Sequence, residues 1–122
     1  TDGDGITDTY YYSESKIEFG EGTNSDGTIK GEATEFRLIN GKRDITCLLT
    51  CDKALKLKSV YLSVFTGENY KEKVSEKEYS VKSPDWDWVS FPITVTKVGK
   101  YAVDIYNEHD IYVNSAYFEI KK

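Results

Sequence analysis

The stretch KYAVDIYN, residues 100–107, sets Tyr101, Val103 and Ile105 on one side of an extended chain and Lys100, Ala102, Asp104 and Tyr106 on the other. Successive side chains of a strand point to opposite faces, so this period of two reads as a β-strand with one face turned to a core. Upstream, SVYLSVF (59–65) opposes Val60, Leu62 and Val64 to Tyr61, Ser63 and Phe65. Both faces there are apolar or small, the pattern expected of a central strand covered on both sides. Downstream, in IYVNSAYFEI (111–120), Ile111 and Val113 share one parity, whereas Ala116, Phe118 and Ile120 share the other. One extra residue near Asn114-Ser115, a β-bulge, reconciles the two halves.

Working outward, short apolar runs alternate with turn signals along the whole chain, the spacing of a sandwich or barrel. Strands are expected near 10–19, 33–39, 44–50, 59–66, 78–82, 88–96, 100–107 and 111–120. Asn40-Gly41 is a strong hairpin signal and Asp26-Gly27, within the polar loop 20–31, a weaker one. Segment 66–79, TGENYKEKVSEKEY, offers only Tyr70, Val74 and Tyr79 for an apolar face. It reads as a polar loop or edge hairpin rather than a helix.

Composition agrees. Ten Tyr and five Phe, with two Pro and no Met, suit pleated surfaces. At 122 residues the chain is one domain, long enough to bury a core without staples. Its 16 basic against 21 acidic residues leave a net charge of −5, which argues against a nucleic-acid partner. No apolar run approaches the length of about 18 residues that spans a bilayer. The lack of methionine reads as a processed product or excised domain, in which a missing leader says nothing about compartment.

Two stretches resemble known families. TDGDGITD (1–8) resembles the acidic calcium loop of bacterial thrombospondin type 3 repeats, with Asp2, Asp4, Gly5, Ile6 and Asp8 fitting the pattern. Alternate carboxylates on a tight loop supply the hard oxygen ligands that calcium takes. The pattern's leading Asp falls outside the chain, so residues 1–9 read either as a partial calcium site at Asp2, Asp4 and Asp8 or as a solvated acidic linker. The resemblance implies an exported, often surface-attached parent. VGKYAVDIYNEHDIYVNSAYFEIKK (98–122) resembles the closing hairpin of bacterial immunoglobulin-like domains. Tyr101, two residues after Gly99, then stands at a tyrosine corner. The expected fold is all-β: an immunoglobulin-like antiparallel β-sandwich of seven or eight strands over residues 10–122.

Chemistry-bearing residues are few. His109, the single histidine, sits in the turn of the last hairpin, where a histidine is ordinarily solvated. No phosphate-binding glycine loop, nucleophile elbow or histidine pair is present, so no enzyme is expected. Cys47 and Cys51 lie four residues apart. On a straight strand that is about 13 Å, beyond a disulfide. Either a turn between them permits a bridge, or both are buried free thiols.

SPDWDWVSF (83–91) is the most distinctive stretch. If extended, it projects Trp86 and Trp88 from one face and Asp85, Asp87 and Val89 from the other. Two indoles beside hydrogen-bonding acids make a platform on which sugar rings can stack, which Tyr10, Tyr11 and Tyr12 extend if they lie nearby. The alternative is that the indoles fill the core.

The sequence therefore points to a non-enzymatic binding or spacer module of a bacterial exported protein, in the periplasm, on the cell surface or secreted. As a monomeric domain of a larger protein, it would meet a protein or a neutral glycan. Two alternatives remain: a carbohydrate-binding module using Trp86 and Trp88 with Asp85 and Asp87, and a proteinase-inhibitor-like module with loops such as 66–79.

Overall fold

A computed structural model describes residue 12 and residues 14–83 and 85–122. The acidic loop with Asp2, Asp4 and Asp8, together with Tyr10 and Tyr11, lies outside the described residues. Ten strands occur among the described residues: β1 (Lys16–Gly20), β2 (Gly22–Thr23), β3 (Ile29–Lys30), β4 (Glu35–Arg37), β5 (Arg43–Thr50), β6 (Ser59–Thr66), β7 (Glu72–Ser80), β8 (Trp88–Val95), β9 (Gly99–Asn107) and β10 (Tyr112–Lys121). One sheet runs β1-β5-β8 and the other β4-β10-β9-β6-β7, with β2 and β3 forming a small separate hairpin. All pairings are antiparallel except that of β4 with β10. The eight strands of the two main sheets follow the order of an immunoglobulin-like sandwich, within the range that the sequence predicts.

Alternation makes the core. β8 is buried at every second residue, so Val89, Phe91, Ile93 and Val95 face inward, opposite Val60, Leu62 and Val64 of β6 and Tyr101, Val103 and Ile105 of β9. Phe118 of β10 sits among rings, with Phe19 and Tyr101 each 5.1 Å away between centroids. The Tyr101 hydroxyl donates to the Lys97 carbonyl at 2.6 Å. That bond back to the β8–β9 corner is the one a tyrosine corner makes.

Three turns show local chemistry at work. The β10 register shifts between Tyr112 and Asn114, where the parity of the sequence requires a bulge. Asp26-Gly27 closes the β2–β3 hairpin, Gly27 taking φ +87. Asn40 and Gly41 have φ 54 and 83, and Ile39 and Lys42 exchange both backbone hydrogen bonds, at 2.7 and 3.2 Å. This tight turn joins no long hairpin, however. It hands the chain from β4 in one sheet to β5 in the other.

Three expectations are corrected. Of the two readings of segment 66–79, the edge hairpin holds and the protruding loop does not: after a short 3-10 turn at Glu68–Tyr70 it becomes β7, an edge strand paired along β6 and longer than the expected 78–82. The inhibitor-like reading loses its loop. The Tyr61, Ser63 and Phe65 face of β6 has no second layer over it among the described residues, because β6 is central only within its sheet and this face is the outer one; Ser63 is buried between its neighbours and Tyr61 and Phe65 are half-buried. Third, β8 begins at Trp88, as the expected strand at 88–96 does, but the condition that would put both tryptophans on one strand face is not met: Trp86 lies in the preceding turn, its N–H donating to the Ser83 carbonyl.

Candidate functional site

The site forms where β5 ends and β8 begins. Thr50 opposite Trp88 is the last regular pair of those strands. Beyond it, the chain at 51–55 keeps company with 86–87 through two backbone bonds of 2.8 Å, from the Cys51 N–H to the Asp87 carbonyl and from the Leu55 N–H to the Trp86 carbonyl. Leu55 and Leu57 turn inward and are buried, sealing this end of the sandwich. Tyr12 is also buried and donates its hydroxyl to the Leu55 carbonyl at 3.2 Å. It therefore belongs to the core and cannot extend an aromatic surface.

The indoles stay outside. Trp86 is 45% and Trp88 36% exposed, so neither fills the core. Together with Asp85, Asp87, Lys53 and Ala54 they line an open groove of about 570 Å³. The Asp85 N–H is held by the Ser83 hydroxyl at 3.3 Å, which fixes the turn that presents Trp86. On the side of Trp88, Gly27 comes so close that an added Cβ would stand 2.8 Å from the indole. Lys53, Ala54 and Gly27 escape a reading of the sequence, because only the closing of the 51–58 and 20–31 loops brings them to the tryptophans.

Other sequence-predicted residues lie elsewhere. Cys47 and Cys51 are free thiols. β5 runs through Cys47 to Thr50 without a turn between them; Cys47 is buried and Cys51 half-buried. Burial pushes the Cys47 thiol up to about 12. His109 is exposed in the β9–β10 turn, its N–H donating to Asn107 Oδ1 at 2.9 Å. Among the described residues, no three His, Cys, Asp or Glu gather as a metal site.

No protein-family model matches the chain, and no curated protein does. Among solved structures, the fold is similar to that of the soluble domain of PmoD from Methylocystis sp. ATCC 49242 (Rockwell), with a TM-score of 0.51 over 88% of this chain and 90% of that one. Identity is 11%, so the likeness is one of fold alone. No helix among the described residues is long and apolar enough to cross a membrane.

Proposed function

We propose that the chain is a non-catalytic binding module of an exported or cell-surface bacterial protein, and that the groove at Trp86 and Trp88 takes a neutral glycan. The observation that carries the reading is the exposure of both indoles at the rim of one groove. Large aromatics left in water at one place mark a binding surface more often than a packing fault. Asp85 and Asp87 add acceptors for hydroxyl groups, and indole faces stack on the C–H faces of sugars. The fold match to a soluble domain of a bacterial protein supports the setting. Calcium at Asp2, Asp4 and Asp8 remains part of the proposal for the N-terminal loop, to be read by calorimetric titration with calcium against an Asp4→Asn variant.

Trp86 and Trp88 are the chain's two tryptophans, so intrinsic fluorescence reports on the groove directly. Emission is expected to be red-shifted and open to a neutral quencher. Titration with soluble β-1,4-linked glucan and mannan oligosaccharides is expected to shift it, and Trp86→Ala to weaken binding by about tenfold, the loss of one aromatic anchor. Gly27→Ala, which crowds Trp88 without removing it, is expected to alter the same signal. Quenchable emission with no response to either glycan would leave the spacer reading in its place.

A further inference from the structure

The outer face of the five-stranded sheet carries a second surface that the groove does not use. Cross-strand register sets Glu78, Tyr61, Tyr106 and Tyr112 in one row over four strands. The next row holds Glu76, Ser63, Asp104 and Ser115. All three tyrosines are half-buried, and among the described residues no second layer lies over them. The fold needs no aromatic there, since the other face of the same strands supplies the core.

This face is both rigid and acidic. The Tyr112 hydroxyl donates to Ser115 Oγ at 2.7 Å, and Ser115 in turn donates to Asp104 Oδ1 at 2.5 Å. Tyr106 and Tyr112 meet edge to face at 5.7 Å. Lys73 neutralises Glu76 at 2.6 Å, while the Glu78 charge stands beside Tyr61 with Asp110 further off. Their negative field, Glu78 first, holds the Tyr61 hydroxyl above its ordinary pKa. Fixed tyrosines cost little conformational entropy on binding and offer large amphipathic contact. A ring face beside a carboxylate suits a guanidinium, which stacks on the one and pairs in a fork with the other.

We propose that this tyrosine face docks an arginine-bearing protein segment, with a guanidinium over Tyr61 or Tyr106 and paired to Glu78. Charge complementarity selects the occupant: the row ends in Glu78, which is hydrogen-bonded to Tyr61 but has no ion pair among the described residues, and the chain as a whole carries −5. This site is separate from the glycan groove, so each stands or falls alone.

The test titrates the full 122-residue chain with an Arg-Gly repeat peptide, reading amide shifts by NMR, with Lys-Gly and Glu-Gly repeats as controls. Shifts are expected to cluster on β6, β9 and β10, with weaker binding of the lysine peptide and none of the glutamate one. Glu78→Lys and Tyr106→Ala should each weaken binding by about tenfold, while Trp86→Ala leaves it unchanged. Glu78 is exposed, so its variant folds even if the tyrosine variant does not. Shifts spread over every acidic patch, or equal affinity for lysine and arginine peptides, would overturn the proposal. So would the same amides moving with protein concentration alone, which would make the face a contact between copies.

Discussion

Cys47 and Cys51 share one short segment and differ in everything that governs thiol chemistry. Cys47 points into the core of the sandwich, while Cys51 sits past the strand end with its thiol 3.5 Å from Asp52 Oδ1. A thiol-directed reagent at about pH 8 should therefore label the native protein once, at Cys51, and twice after denaturation. Intact mass reads this directly, and two labels on the native chain would mean that β5 opens. The buried thiol also sets a pH dependence. Its pKa rises from 9.0 to about 12 on folding, so the neutral form is the one that folding favours. The stability it contributes is present below 9 and lost as pH climbs through that window. Tyr79 and Tyr101, raised chiefly by burial, add to the same alkaline loss. The urea midpoint should fall across this range, and Cys47→Ala should flatten the fall.

Elements differ in how visibly they are written. The alternation of 100–107 and the parity change in 111–120 are readable because each strand buries one face, and burial imposes the period. β7 is unreadable for the opposite reason. Its nine residues, EKVSEKEYS, lie at a sheet edge with Ser75 and Tyr79 half-buried and the rest exposed, so no period separates its faces. Only pairing with β6 makes it a strand, and its charges suit an edge that must not recruit another chain. The turn at Asn40-Gly41 is the local element with the cleanest test. Gly41 has φ 83 and no atom within 4 Å of where a Cβ would go, so Gly41→Ala is resisted by backbone conformation alone. A destabilisation of about 1 kcal/mol is expected by urea unfolding. Asn40, at φ 54, is a residue that tolerates this region, and Asn40→Gly should be nearly neutral.

At the scale of the whole molecule, the groove is a product of closure. Its lining comes from the 51–58 connection and the approach to β8, and the Gly27 turn leans on it from a third part of the chain. Tyr12 underpins the arrangement from a fourth, because the carbonyl it bonds belongs to Leu55, whose N–H is tied to Trp86. Tyr12→Ala should cost about 3 kcal/mol by urea unfolding, the range for truncating a buried aromatic. It should also change tryptophan emission with neither indole touched. Lost stability with unaltered emission would show that the groove is held locally and not through the core.

The sequence by itself determined the class of fold, the positions of most of the main strands and the bulge. Each of these follows from a periodicity or a turn residue whose physics is local. It also marked Trp86 and Trp88 as distinctive. Whether those indoles face water, which loops join them, and which face of β6 turns to the core were decided only by the tertiary structure. A strand's alternation states that its two faces differ, but what covers each face depends on contacts between residues far apart in the chain.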